Sequence, residues 1–441
     1  MKSAGIAWSR WRDTGLEKWG RWLIPFFFAM VPWDISKVLF PPYLSTPQSP
    51  TTLTFVRIAT MLLIAWGAGL LMRKQGLSFL GILSRSMLNW GVLALFIAAL
   101  VSLIGSLQPN ATLMEGARLL VLSALGMSIA IGAMISSGSE GELELILERV
   151  WRTIFVMATL VAIFGIVQYL TGWGIWGGAI APGPRRVNAT FMDSNILARF
   201  LDISILGTAI LILKQQWKLS LGIGVGLFCQ LAALIFTYSR MAWLILLAGI
   251  IVLVVLSPNR NRWRYLAGLG VGISSLWFIP AVQSRISLLL SGQDPSIGTR
   301  QYLIEGGWAM FLGHPFTGVG LGNFQWAIEH PYSYILPYIG VVSRSHTTLV
   351  TVAAEMGILG ILAMLIFLAT FLIQNLRASG KMRNYMLAAN CGVLVIWLSS
   401  QGEGRFFEDP LLWAFWGLSL AVAKQEQVGG LVNLLEVRRS E

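Results

Sequence analysis

What most constrains this chain is a succession of apolar stretches, each roughly 17–25 residues long, separated by short polar connections. A stretch of that length makes a helix that crosses a bilayer, where helices keep every backbone hydrogen bond inside the segment. Read in order, the hydropathy places spans near 19–40, 52–72, 86–106, 116–136, 150–170, 195–213, 219–237, 240–257, 265–282, 347–374, 385–400 and 408–423. The expected fold class is an all-α membrane protein, with about 12 transmembrane helices in a single polytopic domain over 1–441. A content of 56% hydrophobic and 12% charged residues excludes a soluble domain. The net charge of +12 would suit nucleic acid only if the basic residues shared one soluble face. They lie instead in short clusters between apolar runs, so membrane lipids are expected as partners and no nucleic acid is.

The clusters set the orientation. With the N-terminus inside, the connections on that side carry about three times as many Lys and Arg as the opposite ones, which places both termini in the cytoplasm. The first apolar run is broken by Pro25, Pro32 and Asp34 with no small-residue cleavage pattern after it, and reads as an uncleaved span. Cys229 and Cys391 both sit within apolar runs, which supports neither a disulfide nor a Cys-based metal site. Charged residues inside spans need partners. Asp34 and Lys37, Glu115 and Arg118, and Arg199 and Asp202 are each three apart and share a helix face. Asn195, Arg199 and Asp202 together draw a polar stripe along the sixth span.

Between spans 9 and 10 runs one large extracytoplasmic loop, 283–346, which holds all three histidines (His314, His330, His346) together with Arg285, Arg300 and Arg344. Within it, Leu303, Ile304, Trp308 and Phe311 recur at helical spacing, predicting an amphipathic helix on the membrane surface with Arg300 in its first turn. His346 lies at the mouth of span 10, with Ser345 as the expected cap. A histidine there titrates near neutrality and can accept a proton from a hydroxyl. The histidine spacing matches no short metal-ligand motif, so no metal is expected. Gly318, Gly320 and Gly322 lack the strand, turn and lysine of a nucleotide loop. Two more polar stretches lie on the same side. One carries Arg185 and Arg186 before Asp193-Ser-Asn195, an anion site or a headgroup anchor at a helix start. The other sets Arg240 at the boundary between two tightly linked spans.

Taken together, these stretches resemble the O-antigen ligase/O-antigen polymerase family of bacterial membrane glycosyltransferases. The resembling residues are Phe191-Met-Asp-Ser-Asn-Ile-Leu-Ala198, Thr237-Tyr-Ser-Arg-Met-Ala-Trp243, Thr299-Arg300 with Trp308, His314-Pro-Phe-Thr-Gly-Val-Gly-Leu-Gly-Asn-Phe324, and His346 with Leu349, Glu355, Gly357 and Gly360. The likeness runs from about residue 185 to about residue 420. It departs where the family has Asn after the histidine and this chain has Thr347, and where an Asn-Pro-Asn-like sequence is replaced by Asp193-Ser-Asn195. The resemblance implies a GT-C-like fold in the bacterial inner membrane and a glycan donor on undecaprenyl pyrophosphate. It implies a glycan or lipid acceptor with a hydroxyl nucleophile, and no cofactor or metal. It assigns the pyrophosphate to Arg240 and Arg300 and the catalytic base to His346, with Arg185, Arg186, Asn195, His314 and Arg344 as further donor or acceptor contacts. Ligase activity is the first expectation and polymerisation of repeat units the second. A transporter of a small anion or lipid-linked sugar is a third, and would depend on Arg199 and Asp202 instead.

Overall fold

The computed structural model describes residues 18–33, 36–38, 52–72, 86–137, 139–173, 186–256, 283, 295–335, 345–404 and 406–440. The described chain is helical apart from a short antiparallel ribbon, β1 (Ser36–Val38) against β2 (Thr52–Thr54). In order, the helices are α1 (Gly20–Met30), α2 (Phe55–Leu71), α3 (Leu88–Ser102), α4 (Pro109–Ser137), α5 (Glu140–Thr171), α6 (Ser194–Leu213), α7 (Leu221–Phe236) and α8 (Arg240–Leu256). They continue with α9 (Pro295–Gly313), α10 (Phe324–Glu329), α11 (Thr348–Leu376), α12 (Met382–Glu403) and α13 (Pro410–Ser440). Four of them, α4, α5, α6 and α11, are long and apolar enough to cross a membrane, and α2, α3, α7 and α8 are shorter apolar helices. Each expected span overlaps a helix except 265–282, which lies outside the described residues; within 19–40 the helix stops at Met30, and Ser36–Val38 is a strand.

Packing follows small residues, as in a bilayer where close backbone approach takes over from hydrophobic exclusion. Gly126 of α4 and Gly417 of α13 face each other, and a Cβ on Gly126 would stand 2.7 Å from Trp413 O. Trp151 of α5 stacks on Phe415 of α13 at 5.7 Å, beside Gly207 of α6. On α7, Gly226 packs against Phe155, whereas a Cβ at Gly222 or Gly224 would meet open space.

The two ends of the bundle differ in chemistry. At one end Ser139 caps α5, Arg21 pairs with Glu142 at 2.6 Å, Arg152 with Glu148 at 2.6 Å, and Lys381 with Glu144 at 3.4 Å. Arg149 lies over Trp22 and Arg152 over Trp217. The acidic stretch at 140–148 is therefore a counter-charge for the basic connections around it. The other end gathers the turns that carry Arg186, Arg240, Arg300 and His346.

The polar stripe of α6 divides among three different environments. Asn195 accepts a hydrogen bond from Arg186. Arg199 does not pair with Asp202 as its spacing suggests; it meets Asp409 at 3.0 Å, both side chains being 6% exposed. Asp409 also accepts from Leu411 N at 2.8 Å, just ahead of Pro410, the residue suited to a first helical position. One carboxylate thus starts α13 and neutralises a guanidinium of α6. Asp202 is fully buried, without a hydrogen-bond partner among the described residues.

Candidate active site

Helix α11 is not continuous. Gly357 has φ 62° and ψ −157°, and the ladder opens there. The segment 314–324 fills the opening: Val319 N donates to Ala354 O at 2.9 Å, Gly320 N to Glu355 O at 3.0 Å, and Ile358 N to Pro315 O at 2.8 Å. Every group so paired is one that a broken helix leaves without a partner. Asn323, fully buried at the end of this loop, donates to Thr112 Oγ1 at 2.7 Å and Ser106 Oγ at 3.1 Å, tying it to α4 and the connection before it. The Gly-rich stretch is therefore a plug in a broken span, with its amides committed to carbonyls of α11. It delivers α9 and α10 against the first turns of that helix. α9 buries Leu303 and Met310 and leaves Ile304 and Trp308 exposed, so the apolar stripe expected on one face is shared between two. Arg300 falls in its second turn.

The end of α12 is where the arginine and histidine turns meet. Arg300 Nη2 donates to Gly402 O at 3.3 Å. Thr347 Oγ1 donates to Gln401 O at 3.5 Å, Thr348 Oγ1 to Ser400 O at 3.2 Å, and Leu349 N to Gln401 Oε1 at 3.3 Å. A Cβ built on Gly402 would lie 3.8 Å from Met241, the neighbour of Arg240. Residues 400–402 thus hold the turns of Arg240, Arg300 and His346 against one short piece of backbone. Sequence reading passed over them. The signal was there in the polar, Gly-flanked 401–404 at the end of an apolar run.

His346 has φ 57°. Left-handed backbone is uncommon outside glycine and is strained unless the surroundings hold it. The holder is Ser345, which is buried: its Oγ accepts from Thr347 N at 3.1 Å and shares a 2.6 Å hydrogen bond with Thr351 Oγ1. Ser345 therefore closes the turn rather than capping α11, whose cap position is Thr347, with no capping bond from its side chain. Tyr238 (φ 50°) and Ala189 (φ 49°) are left-handed in the neighbouring turns. Gln168 of α5 clamps the second, its Oε1 accepting from Asn188 N at 3.2 Å and Ala189 N at 2.9 Å. From that clamp Arg186 reaches Thr237 O and Asn195 Oδ1, each at 3.0 Å, so the stretches around Arg186 and Arg240 are one cluster. Asp193 starts α6 by accepting from Asn195 N at 2.7 Å. Replacing Asp193 with alanine is expected to lower stability by about 1 kcal/mol in denaturant titration of the micelle-embedded protein.

The other two histidines are placed differently. His314 ends α9, its carbonyl accepting from Gly318 N at 2.9 Å. The ring of His330 stacks on Trp326 at 4.4 Å. Tyr332, near the same loop, has its phenol raised above the ordinary value by burial first and by Tyr334 second, and stays protonated. Arg185 and Arg344 lie outside the described residues.

A cavity of about 170 Å³ opens beside the α11 turn. Glu115, Arg118, Glu355, Phe406, Phe407 and Glu408 line it. Glu115 and Arg118 form the ion pair their spacing suggests, at 2.9 Å, and Glu355 accepts from Phe324 N at 3.1 Å. Thr348 and Gly404 belong to its wall as well, so the cavity reaches the first turn of α11 and the end of α12.

A helical membrane protein with arginines and a strained histidine gathered at one end is the class these features define. The family model described as O-antigen ligase matches residues 225–365, the segment that holds Arg240, Arg300, His314, His346 and Glu355. The teichuronic acid biosynthesis protein TuaE of Bacillus subtilis (strain 168) is 27% identical over 281 residues, covering 60% of this chain. The chain spans 55% of that relative's length. Both findings support assignment of the chain to the O-antigen ligase/polymerase family. The family match is narrower than the resemblance read from residues 185–420 and leaves out Arg186 and Asn195.

Proposed function

We propose that this protein is an O-antigen ligase-like glycosyltransferase, moving a glycan from undecaprenyl pyrophosphate to an acceptor hydroxyl at the outer face of the bacterial inner membrane. The observation that carries the reading is the convergence of the Arg240, Arg300 and His346 turns on residues 400–402. Guanidinium groups stay charged and offer a planar fork matched to phosphate oxygens. Arg240 and Arg300 would hold the donor pyrophosphate, with Arg186 beside them. His346 would take the proton from the acceptor hydroxyl as its oxygen attacks the anomeric carbon. The anomeric bond to the pyrophosphate then breaks, the electron pair leaves with the phosphate oxygen, and the sugar is inverted. Arg240 and Arg300 stabilise the charge that develops on the leaving group. No step calls for a metal or a nucleotide sugar, so transfer should continue in the presence of a chelator. The loop 283–346 supplies part of this site, Arg300 and His346 coming from its two ends.

Arg300→Lys keeps the charge and loses the fork. It is expected to lower kcat by about ten- to a hundredfold with the lipid-linked donor, and near-normal turnover would remove Arg300 from the donor site. The function itself is tested in a strain lacking the gene, by gel analysis of lipid-linked and surface glycans. Full-length polymer stranded on its carrier is the result expected of a ligase. Single repeat units would identify a polymerase, and unaltered glycans would refute both.

A further inference from the structure

The cavity beside the α11 turn is not accounted for by the donor arrangement, and its chemistry is the opposite of the arginine turns. We infer that it is the subsite for the acceptor sugar, taking the hydroxyl-rich ring whose oxygen becomes the new glycosidic oxygen. This rests on the transferase reading above. Among the described residues, three carboxylates, Glu115, Glu355 and Glu408, and one guanidinium, Arg118, line the cavity. Carboxylates in the wall disfavour a pyrophosphate there, whereas the guanidinium turns favour it. The same carboxylates are strong acceptors for sugar hydroxyls. Two of them are already oriented, Glu115 by Arg118 at 2.9 Å and Glu355 by the amide of Phe324 at 3.1 Å. The ring of Phe407, partly exposed and set 4.9 Å from the buried ring of Phe406, supplies the apolar surface on which the C–H face of a sugar ring rests. A volume of about 170 Å³ is of the order of one such ring and too small for a chain.

Placement fits the reaction. Thr348, in the cavity wall, lies two residues beyond His346, and Gly404 two residues beyond Gly402, whose carbonyl holds Arg300. A ring in the cavity would present its hydroxyl toward His346 at the first turn of α11. Glu115, Arg118, Phe406, Phe407 and Glu408 fall outside the segment 225–365 that the family model matches, whereas Arg240, Arg300 and His346 fall inside it. The acceptor side is thus shared between α4, the α12–α13 connection and the part of the matched segment that carries Glu355.

The test uses the full chain in nanodiscs, with donor and acceptor both taken from the membrane extract of the strain lacking the gene, each titrated against the other. Glu115→Gln and Glu408→Gln are each expected to raise the acceptor KM about tenfold while the donor KM stays within a factor of two. Ala111→Leu narrows the cavity without touching a charge and is expected to raise the acceptor KM in the same way, which covers a charge variant that fails to fold. An unchanged acceptor KM in the folded variants, or a rise in the donor KM instead, overturns the subsite while leaving the transferase standing. Absence of transfer by the wild-type protein removes the transferase reading and the subsite with it.

Discussion

Replacing His346 with alanine is expected to slow glycan transfer by about 10²–10⁴-fold while the protein folds and still binds the donor. The effect on rate follows from the role proposed for the imidazole, taking the acceptor proton. The mild effect on fold follows from what holds the turn, which is not the imidazole: Ser345 bonds to Thr347 N and Thr351 Oγ1, and residues 347–349 hang on the end of α12. His346→Gly makes the argument sharper. Glycine adopts φ 57° without the steric cost that a Cβ imposes, so this variant should be at least as stable as His346→Ala and equally slow. Full activity in either variant, measured as initial rates at saturating donor, would show that His346 is not the base.

Gly318→Val is expected to be the most damaging change to the fold, destabilising the protein by roughly 3 kcal/mol or more. Gly318 has φ 64°, and a Cβ there would run into the backbone of Glu355. To relieve the clash the loop has to withdraw from α11, and the carbonyls of Ala354 and Glu355 then lose the amides of Val319 and Gly320. A carbonyl left unpaired inside the protein costs about 1–3 kcal/mol each. Gly357 closes the same junction from the other side: with φ 62°, its added Cβ would stand 2.6 Å from Phe316. Hydrogen exchange should then accelerate in α11 around residue 357 and in α9, while α5, α7 and the clamp at Gln168 keep their protection. Uniform acceleration across the bundle would contradict a local plug.

How much of this was legible beforehand depends on how local the cause is. Apolar runs give away helices because the bilayer demands them, and the placement of Glu115 beside Arg118 follows from helix geometry alone. The same rule misled at Arg199. Three-residue spacing brings Asp202 onto its face of the helix, but Asp409 offered a paired, capped carboxylate from another helix, and nothing in the sequence links positions 210 residues apart. The glycines of 318–322 announced an unusual backbone without saying what it served. Their use depends on a break at Gly357, in a span that reads as an unbroken apolar helix. Likewise Arg240 and His346 stood out as polar groups at span ends, and Arg300 at the start of the helix expected in the loop. The backbone that gathers them, at 400–402, carries neither charge nor aromatic ring and did not stand out. The cavity beside the α11 turn was the least visible, because its carboxylates come from parts of the chain that share no motif.

The central claim is that this protein breaks the bond between a glycan and its pyrophosphate carrier and makes a new one to an acceptor. The most direct measurement mixes the purified protein in nanodiscs with lipid-linked glycan and acceptor, and follows both products by mass spectrometry. The account predicts glycosylated acceptor and free undecaprenyl pyrophosphate in equal amounts with the wild-type protein, and neither with His346→Ala. Glycan that remains on its carrier with the wild-type protein, while the same protein in sealed vesicles moves it or a small anion across the membrane, would contradict the account and establish a transporter.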